Sequence, residues 1–493
     1  MKSESLGAAR DKYELTGYPY LNIGSEDFQT NSGTGSEYTS NSVFGRVIYS
    51  YANRYLFQAN VRHDGSSRFA KGYRWGTFPS FSAGWVASEE KFMKNLKWDW
   101  LSFLKLRGSW GMLGSERIGS NYFPYIALMS FGNSLFYMAD GSVVSDKTAR
   151  PAVLAVEDIT WETTTSTDLG LDVNFLNNRL RFHFDYYWKE TKDMLLNIEI
   201  PYFMGYNNPS TNAGKMSTHG YDIEVAWNDQ IGDFKYGVNV NFSDFLSKID
   251  YMNDGEQISG GKIKRAGVLF NEFYGYVCEG IYQTQEEVNN SARTSTTVTV
   301  GDLKYRDISG PDGVPDGVIS PEYDRVPLGN SLPRFQYGGS LNASYKGIDF
   351  SLAFQGIGKQ NSYLSTSMVQ PLRDNYGNVP AILEGKYWSP FNTTEEYLAA
   401  KYPRLSNVSK SNNYATSNFW MFNGSYFRLK NITLGYTLPK SWTQKAGINR
   451  ARFYVSGSDL FCLSNFPSGW DPEMGTSNYP ITTSLVMGIQ VNF

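Results

Sequence analysis

The chain has 493 residues, a length that fits either about three domains of roughly 150 residues each or one large β-barrel. Its 45 lysines and arginines nearly balance its 48 aspartates and glutamates, so the charge gives no reason to expect a nucleic-acid partner. The mean hydropathy of -0.41 and the absence of an apolar run of about 18 residues exclude a membrane protein built from helices.

Aromatic residues make up 16% of the chain and charged residues only 19%, a balance that favours β-strands with one face turned away from water. A membrane β-barrel is compatible with a negative mean hydropathy, because only every second side chain of its strands faces lipid. The first eleven residues, MKSESLGAARD, contain no apolar signal segment. If the protein is exported, we therefore expect that its N-terminal part is missing from this sequence.

Period-two alternation of apolar and polar side chains predicts about thirteen membrane-spanning strands. The pattern is clearest where Leu180, Phe182 and Phe184 alternate with Arg181 and His183. In chain order the predicted strands lie near residues 43–51, 55–64, 76–87, 103–112, 168–175, 180–189, 221–228, 234–243, 335–345, 348–356, 430–438, 450–461 and 484–493. The charged neighbours require water on the second face, which favours a wet lumen.

Tight and long connections alternate between these strands, as expected for short periplasmic turns and long extracellular loops in an outer-membrane barrel. The tight connections are 52–54, 177–179, 229–233 and 346–347, and the long ones are 114–160, 193–214, 250–334 and 359–424. Placing all tight turns at one rim requires residues 271–283 to lie inside a loop. Residues 88–101 are then expected to form a short helical or irregular segment at the periplasmic rim.

A soluble β-sandwich is the competing interpretation, because its strands also alternate. In a sandwich Leu485, Ile489 and Phe493 would pack against Phe350 and Leu352 in a dry interior. In a barrel the same five side chains would face lipid.

Several separated blocks closely resemble SusC/RagA-type TonB-dependent outer-membrane transporters of the Bacteroidetes, in the same order. They are residues 42–94, LKLRGSWGMLG (104–114), GNSLPRFQYGGSL (329–341), YPRL (402–405), NGSYFRLKNITLGYTLP (423–439) and WDPE (470–473). The resemblance runs from about residue 40 to Phe493.

The resemblance implies an all-β antiparallel transmembrane β-barrel of about 22 strands. It also implies a plug inside the barrel, a TonB box and a SusD-like lipoprotein lid over the extracellular mouth. About thirteen strands would make residues 42–493 the C-terminal portion of that barrel, with plug and N-terminal strands absent, and residues 1–41 an extracellular loop segment. The TonB complex would then act only through the missing plug.

The function that the resemblance implies is import of oligosaccharides or peptides across the cell outer membrane, without an enzymatic reaction. One alternative is a TonB-dependent receptor for a small ligand such as a siderophore, and another is a secreted carbohydrate-binding module. A third is a nonfunctional truncated remnant, because an incomplete wall leaves two edges of unpaired backbone groups in hydrocarbon. A second polypeptide that supplies the missing half would resolve that cost.

The segment RDISGPDGVPDGVISPEYDR (306–325) is the candidate cation site. Its carboxylates Asp307, Asp312, Asp316 and Asp324, with turns at Gly313 and Gly317, are the ligand type that calcium prefers. The spacing departs from an EF-hand loop, since Val314 and Tyr323 fall on ligand positions and Pro311 and Pro315 disturb the loop. A solvated acidic turn is the alternative; no other cofactor is expected.

The candidate substrate-binding residues are Trp388, Trp420 and Trp470, whose rings would stack on a sugar or anchor a peptide. The alternative is that they pack the loops together or contact the lid. The two cysteines, Cys278 and Cys462, and the scattered histidines His63, His183 and His219 have no metal-ligand spacing and neighbour no nucleophile motif. We therefore expect no enzyme. Charged side chains expected to face the lumen are Arg62, Arg107, Arg181, Asp185, Asp222 and Glu224.

Overall fold

The computed structural model describes residues 2–13, 17, 20–118, 123–127, 129–253, 255–364, 370, 379–475 and 478–493. Within them, thirteen antiparallel strands form one sheet in which each strand pairs with its neighbours in the chain. The wall strands are β1 (Ser40–Tyr51), β2 (Tyr55–Ser66), β3 (Trp75–Val86), β4 (Leu101–Ser115), β5 (Glu162–Phe175), β6 (Leu180–Asn197), β7 (Ser210–Ile231), β8 (Phe234–Met252), β9 (Arg334–Tyr345), β10 (Ile348–Lys359), β11 (Tyr426–Thr437), β12 (Arg450–Ser464) and β13 (Ser484–Asn492). All thirteen predicted strands are confirmed.

The register of the wall separates an apolar outer face from a polar inner face. Val47 lies opposite Ala59, and Ala59 lies opposite Phe81, whereas one residue along the chain Asn60 lies opposite Ser80. Side chains of cross-strand partners point to the same face of the sheet. The residues that lie opposite one another over several strands are therefore all apolar on the outer face and all polar on the inner face. At the C-terminus, Leu485, Ile489 and Phe493 are exposed instead of meeting Phe350 and Leu352 in a core. The sandwich interpretation is therefore wrong.

Several large side chains of the inner face lie flat across a glycine of the neighbouring strand. Tyr187 lies across Gly220, and Tyr454 lies across Gly488. A methyl group at either glycine would overlap the phenol ring that covers it. Glycine is needed at these two positions because the rings approach the backbone closely.

The connections at one rim are mostly tight. Ala52 and Asn53 adopt positive φ in the first turn, and Lys346 and Gly347 do so in a two-residue turn. Such conformations match the right-handed twist of the paired strands. The two longer connections at this rim, 87–100 and 438–449, contain the short helices Ala87–Glu89, Lys91–Asn95, Lys440–Thr443 and Gln444–Ala446. The predicted helical segment at 88–101 is confirmed.

The opposite rim carries the long loops, which contain small sheets of their own. Glu256–Ser259, Lys262–Arg265, Glu272–Tyr276 and Arg325–Asn330 form a four-stranded sheet, Cys278–Ile281 pairs with Leu303–Tyr305, and Asn361–Tyr363 pairs with Met421–Asn423. Residues 271–283 thus lie in a loop, as predicted. Two hairpins, Lys2–Arg10 with Gln29–Glu37 and Met129–Tyr137 with Val143–Pro151, form separate two-stranded sheets.

Short helices complete the loops at this rim: Leu21–Ile23, Glu26–Phe28, Tyr202–Met204, Gln285–Asn290, Ala381–Leu383, Thr394–Leu398, Lys410–Asn413 and Asn418–Trp420. None of the helices in the described ranges has the length and apolarity needed to cross a membrane. The division at residue 41 stays a prediction; Met1, residues 14–16 and residues 18–19 of that segment lie outside the described residues.

The main apolar cores lie in the long loops. We call the described parts of residues 253–333 and 361–425 the loop body. Its buried clusters are Tyr276, Leu303, Tyr305 and Ile319; Leu364, Tyr414 and Trp420; and Tyr282, Val288 and Val298. A further cluster, Phe69, Phe78, Ile118, Ile159 and Trp161, closes the ends of β2 to β5 at the long-loop rim. These cores order the loops above the wall.

Candidate functional site

The inner face of the wall presents mainly amide and hydroxyl side chains. They include Gln58, Asn60, Ser80, Ser82, Ser109, Asn239, Asn241, Ser243, Ser340, Asn431 and Ser456. Some bond to each other across strands: Asn60 Nδ2 donates to Ser80 Oγ at 3.1 Å, and Asn431 Nδ2 donates to Ser456 Oγ at 3.2 Å. Such groups offer donors and acceptors without charge, which suits contact with water or a neutral hydrophilic solute.

A cavity of about 760 Å³ lies against strands β1 to β4 near their ends at the long-loop rim. Arg62 lines it and donates from Nη2 to Ser42 Oγ at 3.2 Å and from Nε to Asp64 at 2.6 Å. Trp161 contributes an aromatic border, packs edge-on against Phe78 at 5.4 Å, and donates from Nε1 to the Arg74 carbonyl at 3.1 Å. The volume lies within the range typical of small-molecule sites, about 300–1,000 Å³.

A charged cluster centred on Arg107 occupies the inner face of β4 to β7. The Arg107 guanidinium contacts Asp185 at 2.6 Å, Asp172 at 3.2 Å and Asp168 at 3.6 Å. Lys105 lies 3.8 Å from Asp172. The predicted lumenal residues Asp222 and Glu224 face Asp185 and His183 across strands. The structure therefore places Arg107, Asp185, Asp222 and Glu224 on the inner face of neighbouring strands, and three carboxylates, Asp168, Asp172 and Asp185, contact Arg107.

A second ionic cluster fixes the WDPE segment to the wall. Arg428 of β11 is only 3% exposed and lies 2.5 Å from Asp471 and 3.1 Å from Glu473. Lys430 bridges Asp459 at 2.7 Å and Glu473 at 3.5 Å. Because a buried guanidinium needs paired carboxylates, this cluster determines where the segment lies.

The three candidate tryptophans all pack within or against the loop body. Trp420 and Trp388 are buried, and Trp420 stacks between Tyr402 at 5.8 Å and Tyr414 at 5.5 Å. Neither tryptophan presents the free ring face that a stacking platform needs. Trp470 is half-buried against the cluster of Leu364, Tyr414 and Trp420, so substrate contact stays a prediction for that residue alone.

A buried polar network holds the loop body together around Asp302. This carboxylate is fully buried and accepts from Arg404 Nε at 2.7 Å, from Asn413 Nδ2 at 2.9 Å and from the Thr299 backbone N–H at 2.9 Å. Arg404 belongs to the YPRL block, and it also donates to Ser409 Oγ at 2.7 Å. The loop body is therefore cross-linked between segments about a hundred residues apart.

The carboxylates of the candidate cation site mostly accept backbone hydrogen bonds. Asp324 is fully buried and accepts from the N–H groups of Ile308, Ser309 and Ser320 at 2.7–3.2 Å. Asp307 accepts from Gly317 N–H at 2.7 Å, Asp316 accepts from Val318 N–H at 2.9 Å, and Asp312 is exposed. In the described part of the chain no three His, Cys, Asp or Glu side chains converge as a metal site. A bound calcium ion stays a prediction.

The two cysteines are free thiols with no mutual contact. Cys278 is half-buried in the loop body, and burial raises the pKa of its thiol to about 11. A thiol with that pKa is a poor nucleophile near neutral pH, because the thiolate is the reactive form. His63 contacts Thr77 Oγ1 at 2.9 Å and stacks on Trp75 at 4.7 Å, and His183 contacts Asp172 at 3.0 Å.

The sequence patterns gave no indication that Phe78 and Trp161 border a cavity or that Asp302 is a central carboxylate of the loop body. Trp161 directly precedes β5, and Asp302 lies in a polar stretch of the longest loop. Trp161 and Asp302 both contact residues that are distant in sequence. The periodicity of a segment does not indicate such long-range contacts. The one local indication was the position of Trp161 directly before a strand with clear alternation, where a side chain can contact the end of the wall.

Comparisons with known proteins agree with this architecture. Residues 4–456 match the family described as TonB dependent receptor-like, beta-barrel. TonB-dependent receptor P3 of Formosa agariphila is 31% identical over 92% of this chain and 45% of its own length. TonB-dependent receptor SusC of Bacteroides thetaiotaomicron is 30% identical over 92% of this chain and 43% of its own. A structure of the RagAB peptide transporter superposes with a TM-score of 0.80 at 24% identity, covering 100% of this chain and 52% of that one.

The chain spans about half the length of the relatives that it matches. The match with the solved transporter shows a shared fold of the wall and the loop body. The resemblance stated from the sequence blocks is confirmed.

Proposed function

The chain belongs to the TonB-dependent receptor-like β-barrel family, an outer-membrane family of transporters, and on that premise we propose that it forms part of a SusC-like nutrient importer. The observation that carries the proposal is the two-faced wall: thirteen strands with apolar side chains outside and hydroxyl and amide side chains inside. Once further strands complete it, such a wall would enclose a hydrated route through lipid. Import is recognition followed by gating, and no bond of the cargo is broken.

The proposed cargo is an oligosaccharide or a peptide. The lining of the cavity at β1 to β4 supports this class, because hydroxyl and amide groups beside Phe78 and Trp161 suit a hydrophilic chain molecule. One solved structure with the same fold is named as a peptide transporter, which supports the peptide class.

The proposal includes strands from elsewhere that complete the wall. Strands β1 and β13 are the two edges of the described sheet. Each unpaired backbone group in hydrocarbon costs several kcal/mol, so both edges need partner strands in the membrane. A further part of the same protein or a second polypeptide would supply them, together with the plug through which the TonB complex acts.

A SusD-like lipoprotein lid is the proposed extracellular partner. The hairpin Met129–Tyr137 with Val143–Pro151 exposes Phe131 at 80% and Tyr137 at 84%, both on one face. Exposed apolar faces of this kind mark interaction sites. Large aromatic side chains are also the residues that most often contribute binding energy at interfaces.

The lid is tested by co-purification from outer membranes with a tag on this protein. We expect one lipoprotein partner with the unchanged protein and a weakened complex with Phe131→Ser combined with Tyr137→Ser. Phe136→Ser on the opposite face of the hairpin is the matched control and should leave the complex intact. An unchanged complex with the double variant would refute the hairpin as a lid contact.

Import is tested by deleting the gene and offering single nutrients. Growth on one oligosaccharide or peptide class should be lost, whereas growth on the corresponding monomers should persist because monomers cross by porin diffusion. Loss of growth only under iron limitation would instead support a siderophore receptor and overturn the proposed cargo.

A further inference from the structure

A second recess, of about 520 Å³, lies on the inner face of β8 to β11. It shares no lining residue with the cavity at β1 to β4. The inner-face side chains that line it are mostly amides and hydroxyls: Asn239, Asn241, Ser243, Gln336, Ser340, Gln355, Ile357 and Tyr426. Among the described residues that line it, none is lysine, arginine, histidine, aspartate or glutamate. The recess is therefore polar and uncharged.

The register of β8, β9 and β10 brings these side chains around a glycine. Asn241 lies opposite Gly338, which in turn lies opposite Gln355. Gln336 and Ser340 flank Gly338 on the same face of β9. A Cβ at position 338 would lie 3.2 Å from Asn241 Oδ1, so the amide of Asn241 lies close to the glycine. The floor of the recess is therefore backbone, and its sides are amides and hydroxyls.

Two amides of the recess have hydrogen-bonding groups that a ligand can use. Among the described residues, no hydrogen bond engages the side-chain amide of Asn241 or of Gln336. Each amide offers two donor hydrogens and one acceptor oxygen. Both kinds of group are therefore available in the recess from two neighbouring strands.

The other two amides are held in place by carboxylates at the borders of the recess. Asn239 Nδ2 donates to Glu224 Oε1 at 2.6 Å, and Gln355 Nε2 donates to Glu473 Oε1 at 2.7 Å. Glu473 is itself paired with Arg428 at 3.1 Å. These bonds orient Asn239 and Gln355 from opposite sides, which gives the recess a fixed shape.

The recess lies near the long-loop end of the wall. Gln336 is the third residue of β9, and Tyr426 is the first residue of β11, and both strands begin at the long-loop rim. Tyr426 is buried, and its hydroxyl accepts from Gln355 Nε2 at 3.3 Å. A solute that enters the lumen from the long loops would therefore meet the recess before it reached the middle of the wall.

The chemistry of the recess suits a sugar unit better than an ion or an apolar group. Sugar hydroxyls donate and accept hydrogen bonds at adjacent carbons, and the amides of Asn241 and Gln336 do both as well. An ion would find no free opposite charge in the lining, and an apolar group would leave the amides without partners. A peptide backbone offers only one donor and one acceptor per residue. The volume lies within the range typical of small-molecule sites, about 300–1,000 Å³.

We propose that this recess is a lumenal subsite for one sugar unit of an oligosaccharide, where Asn241 and Gln336 bind adjacent hydroxyl groups. The inference rests on the proposed importer function and selects the oligosaccharide among its two cargo classes. It places a cargo contact in the wall itself, below the loop body.

Isothermal titration calorimetry on the intact transporter, purified from outer membranes, tests the subsite. The probes are maltohexaose, cellohexaose, laminarihexaose and xylohexaose, with hexaserine as the peptide probe. We expect a hexasaccharide to bind and its dissociation constant to rise by about tenfold in each of Asn241→Leu and Gln336→Met. A tenfold change corresponds to about 1.4 kcal/mol, the net effect of one or two lost neutral hydrogen bonds.

Asn342→Leu is the matched control, because Asn342 lies on the same face of β9 outside the recess and should leave the dissociation constant unchanged. Leucine and methionine keep the approximate shape of the amides, so all variants should migrate on unheated gels as the unchanged protein does. Equal dissociation constants in all variants would overturn the subsite and leave the importer proposal standing. Binding of hexaserine alone would overturn the sugar class, and binding of no probe would overturn the subsite together with the proposed cargo.

Discussion

Replacing Arg404 by methionine tests whether the buried carboxylate of Asp302 stabilises the loop body. Methionine keeps an aliphatic stem but supplies no donor, so Asp302 would keep only its bonds from Asn413 and Thr299. Removing one partner of a buried ion pair costs about 3–5 kcal/mol. Two lost charge-assisted hydrogen bonds at about 1.5–3 kcal/mol each give a similar range.

The assay is hydrogen–deuterium exchange of amides bonded inside the loop body, such as Tyr282 N–H to the Asp302 carbonyl at 2.9 Å. Because about 1.4 kcal/mol corresponds to a factor of ten, Arg404→Met should speed their exchange by about a hundredfold or more. Amides of the wall strands should keep their protection, since the network does not include them.

The control for this prediction is Arg306→Met, which removes an exposed pair with Glu279 at 3.0 Å. Exposed pairs contribute about 1 kcal/mol or less, so exchange should change at most about fivefold. Adding Asp302→Asn to Arg404→Met should recover part of the loss, because the unpaired charge is removed. The reasoning fails if Arg404→Met and Arg306→Met give the same exchange rates.

Three further predictions concern single side chains. Cys278 should react with iodoacetamide at pH 8 far more slowly than a free thiol. A pKa of about 11 leaves roughly a thousandth of the Cys278 side chains as the reactive thiolate at that pH. Equal labelling rates in folded and unfolded protein would refute this prediction. Plasma metal analysis should find calcium in the unchanged protein and less in Asp316→Ala if the acidic loop binds it; equal calcium in both would discard the site. Asp471→Asn should weaken the contact with Arg428 by about 1.5–3 kcal/mol and therefore speed proteolysis within residues 465–475. An unchanged cleavage rate would contradict the role of Asp471 in fixing this segment to the wall.

The wall was predictable because its determinants are local. In β6, Leu180 to Trp188 alternate between lipid and water, and this constraint applies to every strand separately. The lengths of the connections then showed which strand ends lie at which rim, because the tight turns all lie at one rim and the long loops at the other. These signals fixed the number of strands, the position of the 271–283 stretch inside a loop and the helical segment at 88–101.

The loop body and the cavity were not predictable in the same way, since their contacts join distant segments. Asp302 and Arg404 are about a hundred residues apart, and the cavity residue Trp161 donates to the carbonyl of Arg74, 87 residues earlier in the chain. Alternation does not tell whether an aromatic loop residue is buried, so Trp420 and Trp388 were candidates for substrate stacking although the loop core buries them.

The phenol rings that lie over Gly220 and Gly488 determine how far the inner face of the wall projects at those two points. At each of these points the ring covers the backbone of the neighbouring strand instead of standing away from it. An alanine at either glycine would force the ring upright and narrow the passage. At these two positions the width of the inner face is therefore set by residues that bear no side chain at all.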